Sequence, residues 1–359
     1  MSESRSDSKS TRMGRWGVVI TLLLLLCVSQ GTARAQQTSS TKPGSPSKLP
    51  LGNIEDWSSL SLEHSELVAE RPLLGERDQN DPQFVRELWQ LKWRQGDPID
   101  LYVIRPKGIA KPPAILYLYS YPSESDVFRN DAYCERITSG GFAAIGFVSA
   151  LTGHRYVNRP MKEWFVSELQ EALATSVHDV QLILNYLATR GDLDMERIGM
   201  FGVGSGGAIT ILSAAVDPRL KAIDVIDPWG DWPNWMATSS IIPEVERPNY
   251  VKPEFLKKVA PLDPVEWLPR LKTQHVRLQQ VMADSVTPRS VQEHLKAAAP
   301  ATMQVATFDN TTQLAKAGSK DNLLRWIKAQ LRTDSAQSVV QNSRKYPRGR
   351  QSLDSNHDD

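Results

Sequence analysis

A short apolar strand, a glycine-rich corner and an apolar helix follow one another in this chain, and together they constrain its fold more than any other segment. Residues Arg197–Gly207 read Arg-Ile-Gly-Met-Phe-Gly-Val-Gly-Ser-Gly-Gly. The pattern predicts a strand over Ile198–Phe201 and a helix from about Ala208. Glycine has no side chain to obstruct a sharp turn, so the chain can pass directly from strand to helix. The segment is typical of an α/β protein.

Apolar runs alternate with helical stretches along most of the chain, after an antiparallel hairpin. The hairpin is predicted from residue 84, with its turn at Gln95-Gly96-Asp97. A long helix is predicted over Ser176–Ala188, because its apolar residues recur on one face. The remaining runs are nearly continuous in apolar character, which indicates a mostly parallel sheet with helices on both faces. They lie at Ala114–Tyr119, Phe142–Val148, Ala222–Ile226, Val276–Met282 and Thr302–Phe308.

Residues 1–35 are interpreted as a signal peptide rather than as structure. Basic residues precede an apolar run over Trp16–Val28, which is too short for a comfortable membrane span. Ala33-Arg34-Ala35 matches a cleavage site, and a start at Met13 would give a more compact signal. We expect a secreted or periplasmic protein, cleaved near Ala35, with no stable membrane span after cleavage.

Composition divides the rest of the chain into a linker, one folded domain and a tail. Residues 36–50 are rich in Ser, Thr, Pro and Lys, which predicts a flexible linker. Residues 51–83 form an N-terminal approach segment, for which we expect a short outer helix. The folded domain is predicted over residues 84–332. Residues 333–359 are interpreted as a disordered tail, and their basic stretch Arg344–Arg350 as solvated chain.

Overall composition fits a packed globular domain, with 40% apolar residues, 23% charged residues and a formal net charge of +1. This balance does not point to nucleic acid, and we expect no nucleic-acid partner. After signal cleavage Cys134 is the single cysteine, which excludes an intramolecular disulfide and a thiolate metal cluster. The histidines are scattered without His-x-x-x-His spacing, so we expect no metal and no cofactor.

The ordered segments resemble the α/β-hydrolase superfamily, especially its bacterial esterase, dienelactone-hydrolase-like and prolyl-peptidase-like branches. The resemblance covers about residues 84–331. It implies the α/β-hydrolase fold, with a mostly parallel sheet, an N-terminal antiparallel hairpin, helices on both faces and a small Trp-rich cap. Fold resemblance alone says little about activity. Besides the hairpin, the segments that carry it are Ile115–Tyr119, Gly141–Gly146, Asp194–Gly199 and Asp284–Pro288.

The resemblance also implies a position for each catalytic role. The family holds its nucleophile in the pattern Gly-x-Ser-x-Gly at a strand-to-helix turn, the elbow. The elbow of this chain is Gly202–Gly206, so Gly204 takes the nucleophile's place. Ser205 takes the place of the residue that lends a backbone N–H to the oxyanion hole. Asp284, which follows a predicted strand, takes the place of the acid.

The catalytic base is missing from its expected position. It should follow the strand at Thr302–Phe308, but Asp309–Leu314 contains no histidine, and none occurs between His294 and His357. A serine hydroxyl is almost wholly protonated at neutral pH, so its attack needs a base within hydrogen-bond reach. With two of the three catalytic positions vacant, we expect ordinary serine-hydrolase activity to be lost. The interpretation is a pseudoenzyme that acts in ligand binding or in a structural role.

A small-molecule ligand or an ester-like substrate would meet two groups of residues. Tyr119-Ser120-Tyr121 stands where the family often has His-Gly in its oxyanion loop. The aromatic cluster at Pro228–Trp235 begins a predicted cap of about residues 229–267, beyond a strand's carboxyl end, where ligands of α/β sheets bind. The cluster can be a clasp that holds the cap, a ligand wall, or both. The predicted binding residues are Tyr119, Ser120, Ser205, Trp229 and Trp232.

Two other hypotheses stay open. In the first, the chain is an active serine esterase or peptidase-like hydrolase whose turn slips by one residue, so that Ser205 attacks and His154 acts as its base. In the second, Gly202-x-Gly204-x-x-Gly207 cradles a dinucleotide pyrophosphate at a helix N-terminus, with Asp224 and Asp227 about twenty residues further on. A single glycine match is a weak signal, and the strands that precede it argue against a dinucleotide fold.

Overall fold

The computed structural model describes residues 67–93, 98–121, 125–151, 169–273, 275–319 and 323–332. The predicted signal peptide, linker and C-terminal tail lie outside these ranges. So do the first part of the approach segment, the turn at Gln95-Gly96-Asp97 and His154. No helix within the described ranges is long and apolar enough to cross a membrane.

One sheet of nine strands organises the described residues. The strands are β1 (Leu73–Asp78), β2 (Phe84–Leu91), β3 (Ile99–Pro106), β4 (Pro113–Leu118), β5 (Ala143–Gly146), β6 (Asp194–Val203), β7 (Leu220–Ile226), β8 (His275–Val281) and β9 (Gln304–Phe308). Their order is β1-β2-β3-β5-β4-β6-β7-β8-β9. The first three neighbouring pairs in this order, β1-β2, β2-β3 and β3-β5, are antiparallel. All the following pairs, from β5-β4 to β8-β9, are parallel.

Helices connect the parallel strands and build a cap after β7. The α-helices are α1 (Asp131–Thr138), α2 (Leu169–Arg190), α3 (Ser205–Val216), α4 (Trp232–Thr238), α5 (Arg247–Tyr250), α6 (Pro253–Val259), α7 (Pro264–Trp267), α8 (Arg289–Ala298), α9 (Thr311–Gly318) and α10 (residues 323–332). Short 3-10 helices lie at Ser125–Arg129, Ala260–Leu262 and Leu268–Arg270. Helices α4 to α7 lie in the interval where the regular alternation of strand and helix lapses in the sequence.

The predicted architecture is confirmed, because an antiparallel hairpin of β2 and β3 leads into a mostly parallel sheet. The element boundaries differ in places. Strand β6 begins at Asp194, before the predicted start, because its pairing with β4 already begins there. Helix α3 begins at Ser205 rather than near Ala208, so the corner is a single residue long.

The described part of the approach segment, from residue 67, contains strand β1. The outer helix expected in this segment stays a prediction, because residues 51–66 lie outside the described ranges. β1 pairs antiparallel with β2, with Leu73 opposite Gln90 and Asp78 opposite Arg86. The open edge of β2 supplies these backbone partners, and a pairing of this kind is invisible to a local helix or strand pattern.

Both faces of the sheet are apolar, which explains the continuous apolar runs of its strands. In β4, Leu116 packs in one core cluster together with Ile145. Its neighbours Ile115 and Tyr117 pack on the other face, in a cluster that contains Phe128. Successive side chains of a strand point to opposite faces, so a strand buried on both sides needs apolar residues throughout. The result is a rigid platform whose strand ends hold the candidate site.

Candidate functional site

The elbow is a one-residue corner at Gly204. β6 ends at Val203 and α3 begins at Ser205, and Gly204 between them has φ 55° and ψ −117°. Glycine adopts a positive φ without the steric cost that other residues meet. The Gly204 N–H donates to the Ile226 carbonyl at 2.9 Å, and the Gly204 carbonyl accepts from the Trp229 N–H at 3.1 Å. Both bonds fasten the corner to the end of β7.

The glycines on either side of the corner fix its register. A Cβ on Gly202 would lie 2.5 Å from the Gly206 carbonyl oxygen. A Cβ on Gly206 would lie 2.7 Å from the Leu118 carbonyl carbon. Real Cβ atoms do not approach other atoms so closely, so both positions require glycine. Gly204 therefore lies at the centre of a corner whose tight flanking positions are 202 and 206.

Ser120 fills the space beside Gly204. A Cβ on Gly204 would lie 2.7 Å from the Ser120 Cβ and closer still to its Oγ, and it would lie 3.2 Å from the Trp229 Nε1. Ser120 comes from the loop after β4, one of the two strands that flank β6. The side chain of any other residue at position 204 would therefore start inside the volume that Ser120 occupies.

Two reciprocal hydrogen bonds join the Ser120 loop to the start of α3. The Ser205 N–H donates to the Ser120 Oγ at 3.3 Å, and the Tyr121 N–H donates to the Ser205 Oγ at 2.9 Å. Ser205 is fully buried. The two backbone N–H groups on either side of the elbow thus already have serine hydroxyls as acceptors. These N–H groups could stabilise an oxyanion only if they donated to it instead of to the serine hydroxyls.

Asp284, the predicted acid, lies in a loop just after β8, and its side chain accepts hydrogen bonds from that loop. Its two carboxylate oxygens accept hydrogen bonds from the Val286 N–H at 3.1 Å and the Thr287 N–H at 3.0 Å. Burial raises the pKa of the Asp284 carboxyl, and these backbone N–H groups offset part of the rise. The geometry is that of a carboxylate that closes its own turn.

A second carboxylate, Asp227, lies beside Asp284 at the end of β7. Its backbone has a φ of 43°, and its side chain accepts from the Val281 N–H at 2.8 Å. Burial raises the pKa of Asp227 well above its ordinary value, and the charge of Asp284 raises it further. The sequence contained a signal for it, an aspartate directly after a predicted strand. In the sequence this aspartate belongs only to the dinucleotide hypothesis.

The acid loop is tied to two other elements. The Thr287 hydroxyl donates to the Asp227 carbonyl at 3.0 Å. The Ser239 hydroxyl, at the end of α4, donates to the Val286 carbonyl at 2.6 Å. These bonds hold the loop against the end of β7 and against the cap.

The position predicted for the base is occupied by the start of a helix. β9 ends at Phe308, and Asn310 caps α9 by accepting from the Gln313 N–H at 3.1 Å. The Gln313 side chain in turn bonds to Asp309. The residues directly after the strand therefore cap the start of a helix.

The histidines that the structure describes lie elsewhere. His178 is buried in α2, where its Nδ1 lies 3.1 Å from the Gln181 Oε1. His275 begins β8, at the strand end opposite the elbow. His294, on α8, pairs through its Nδ1 with the Asp231 carboxylate at 2.5 Å. None of these three imidazoles is hydrogen-bonded to Ser120, Ser205 or Asp284.

The tryptophan cluster forms the anchor of the cap. Trp229, Trp232 and Trp235 are almost completely buried, with ring centroids 4.7 Å apart between Trp229 and Trp235 and 5.7 Å apart between Trp232 and Trp235. The Asp263 carboxylate accepts the backbone N–H groups of Asp231 at 2.7 Å and of Trp232 at 2.8 Å. This arrangement is a clasp, and a ligand-binding role for Trp229 and Trp232 stays a prediction.

Tyr119 and Ser120 turn to different neighbours although they are adjacent in the chain. The Tyr119 hydroxyl is hydrogen-bonded to the Tyr133 hydroxyl, and its ring lies 6.2 Å from that of Phe128. Ser120 instead packs against Gly204. Of the two predicted loop residues, it is Ser120 that the structure brings to the elbow.

The carboxylates of the described ranges bear on the metal and dinucleotide hypotheses. Within the described ranges, no three His, Cys, Asp or Glu side chains are grouped to hold a metal ion. Asp224, part of the dinucleotide hypothesis, is fully buried in β7 and pairs with Arg277, with the closest contact at 2.5 Å. Gln279 also donates to Asp224, at 2.9 Å. These partners commit the Asp224 carboxylate to the sheet.

Known proteins of similar structure share this arrangement of sheet and helices. Acetyl Xylan Esterase 1 from Thermoanaerobacterium sp. JW/SL YS485 superposes with a TM-score of 0.60 at 14% identity, over 77% of this chain and 93% of that one. The acetyl xylan esterase from Paenibacillus sp. R4 gives 0.59 at 16% identity, over 78% and 99%. The chain has the α/β-hydrolase fold. Acylaminoacyl peptidase from Pyrococcus horikoshii gives 0.53 at 15% identity, over 77% of this chain and 44% of the peptidase.

Sequence comparison adds one curated relative. "Putative hydrolase YtaP" of Bacillus subtilis (strain 168) is 24% identical over 190 residues, which span 48% of this chain and 58% of that protein. No family model matches the chain. At such identities the likeness establishes the fold, and the esterase and peptidase activities belong to the relatives.

Proposed function

We propose that this exported chain uses the α/β-hydrolase fold to bind a ligand or to serve a structural role, without ordinary serine-hydrolase catalysis. The observation that carries the proposal is the corner at Gly204, where Ser120 fills the space in which a nucleophile's side chain would begin. Glycine at the centre of the elbow offers no oxygen of its own to attack a carbonyl carbon.

The surroundings of the corner support the same proposal. A working serine hydrolase needs N–H donors that bind the developing oxyanion and a base next to the attacking hydroxyl. Here the N–H groups of Ser205 and Tyr121 donate to serine hydroxyls. Asp284 accepts hydrogen bonds within its own loop, and α9 begins where a histidine is expected.

An active serine hydrolase with Ser205 and His154 is the alternative. The names of the structural relatives favour it, since they are esterases and peptidases. The burial of Ser205 and the tight glycine at position 202 oppose it, because the slipped register would require Val203 at a tight flanking position.

A hydrolysis assay tests the proposal. The mature chain, residues 36–359, is incubated with p-nitrophenyl acetate and p-nitrophenyl butyrate, and the release of p-nitrophenol is compared with buffer. We expect no turnover above the background of Asp284→Ala and Ser205→Ala variants. Enzyme-like turnover that Asp284→Ala abolishes would contradict the proposal.

Export is tested separately, because it rests on residues 1–35. The expected result is a secreted or periplasmic product whose intact mass corresponds to a start at Gln36, or within a few residues of it. An uncleaved product in the cytosol would sink this part of the proposal and leave the part on catalysis untouched.

A further inference from the structure

We propose that Ser120 takes over from residue 204 as the hydroxyl that a reactive acyl or phosphonyl ligand meets at the elbow. The inference deepens the proposed function, on which it rests: Ser120 is a stoichiometric contact and modification site, without turnover. It assigns the reactive oxygen to the loop after β4 and not to the start of α3.

The geometry places the Ser120 oxygen in the nucleophile's space. The side chain of a residue at position 204 would run outward through its Cβ, and that Cβ would overlap with the Ser120 side chain. The Ser120 Oγ thus lies close to where a serine at 204 would carry its first side-chain atoms. It reaches this place from the neighbouring strand, across the corner.

Exposure separates Ser120 from its neighbour Ser205. Ser120 is 8% exposed, whereas Ser205 is 0% exposed. The Ser205 hydroxyl lies between α3 and the loop, where it accepts from the Tyr121 N–H. A ligand that enters from solvent therefore meets Ser120 first, and it reaches Ser205 only if the Ser120 loop separates from α3.

The surroundings of Ser120 favour negative charge on its oxygen. Its hydrogen-bond donor, the Ser205 N–H, belongs to the first turn of α3, a helix of 12 residues with no acidic residue in that turn. The N-terminal end of a helix carries a partial positive charge, and a fixed N–H donor stabilises an oxygen on which charge develops. The indole nitrogen of Trp229 borders the same space.

The reaction of a fluorophosphonate with this site is written without an enzymatic base. The Ser120 Oγ attacks phosphorus and forms an O–P bond, while the P–F bond breaks and fluoride leaves with its electron pair. The hydroxyl proton passes to a hydroxide ion from the buffer, which becomes water. Because no described imidazole bonds to Ser120, we expect one slow modification per chain that speeds up with pH.

Mapping the adduct tests the proposal. The mature chain is incubated with a fluorophosphonate at about pH 9, where hydroxide is abundant, and digested peptides are analysed by mass spectrometry. We expect the adduct on Ser120, its loss in Ser120→Ala and its retention in Ser205→Ala. Ser290→Ala removes an exposed serine of α8 and is the matched control. An adduct on Ser205, or no adduct on Ser120, would overturn the proposal.

A double-mutant cycle tests the geometry without any probe. Gly204→Ala alone is expected to lower Tm by several degrees, because its Cβ meets Ser120 and its φ is strained. Adding Ser120→Gly removes the contact, so we expect about half of the loss in Tm to return. An unchanged loss would refute the overlap. The outcome is independent of the proposed loss of catalysis, which only the turnover assay addresses.

Discussion

Two buried carboxylates of this protein are held in opposite ways. Glu87, in β2, is 0% exposed and is surrounded by cations: Arg77 at 2.5 Å, Arg190 at 2.7 Å and Arg105 at 3.7 Å. Asp227, at the end of β7, is also buried, but its charged neighbour is the carboxylate of Asp284. The negative charge of Glu87 is more than balanced by its arginines, whereas Asp227 lies next to a second negative charge.

The pKa values of the two groups move apart for this reason. Burial alone would raise the pKa of Glu87, but the hydrogen bond from Trp89 and the charge of Arg190 outweigh it and lower the pKa to about 2. Burial raises the pKa of Asp227, and Asp284 adds to the rise. Compensation is typical of a structural site, whereas an uncompensated carboxylate at the strand ends is typical of a functional one.

The largest effect is expected from breaking the compensated site. Glu87→Gln leaves the guanidinium groups of Arg77, Arg105 and Arg190 without their shared carboxylate, and Arg190 is only 8% exposed. Removing one partner of a buried ion pair costs about 3–5 kcal/mol. Urea unfolding at pH 7 measures the loss, with Glu76→Gln at an exposed position of β1 as the control. A loss no larger than that of the control would show that the arginines do not depend on Glu87.

At acidic pH the difference in unfolding free energy between the parent and Glu87→Gln should become smaller. The folded-state pKa of Glu87 is about 2 and its ordinary value is 4.5, so its stabilisation is complete above 4.5 and is lost as the pH falls towards 2. Between pH 7 and pH 3 the gap in unfolding free energy between the parent and Glu87→Gln should narrow by about 2 kcal/mol. A gap that stays constant over this range would contradict the lowered pKa.

Asp227 should respond with the opposite sign. Because its folded-state pKa is raised, the parent loses stability as the pH rises from 3.8 through that pKa. Asp227→Asn keeps an acceptor for the Val281 N–H and removes the repulsion from Asp284. We expect the variant to be more stable than the parent at pH 8, and to match it near pH 4.

The control for Asp227→Asn is Asp100→Asn, at an exposed position of β3. Its stability should run parallel to that of the parent across the same pH range. If Asp227→Asn were instead less stable than the parent at pH 8, Asp227 would be a compensated carboxylate like Glu87, and the contrast between the two regions would fail.

The fold could be predicted from local pattern, because each element carries its own signal. β4 is apolar at every position, and the glycines at 202 and 206 mark a corner that admits no side chain. Strand β1 could not be predicted. Its state depends on hydrogen bonds to the edge of β2, and the residues from Leu73 to Asp78 contain no strong alternation of their own.

The site could be predicted only where one segment suffices to define it. The position of Gly204 follows from the corner itself, and that of Asp284 follows from the end of a strand. The contact of Ser120 with the elbow joins residues 85 positions apart along the chain, as its bond with the Ser205 N–H shows. The bond between Glu87 and Arg190 spans 103 positions. Only the three-dimensional fold brings such residues together.

A third carboxylate, Asp231, gives the smallest expected effect and sets the lower end of the comparison. His294 pairs with Asp231, but the histidine side chain is 61% exposed. The pair is charged only when the imidazole is protonated, and solvent then screens it, so His294→Gln should lower the unfolding free energy by less than about 1 kcal/mol, and by less still in about 1 M NaCl. Asp263 holds the Asp231 N–H independently, which keeps the cap in place. A loss of several kcal/mol that salt leaves unchanged would show that this pair, despite its exposure, fastens the cap as firmly as the arginines hold Glu87.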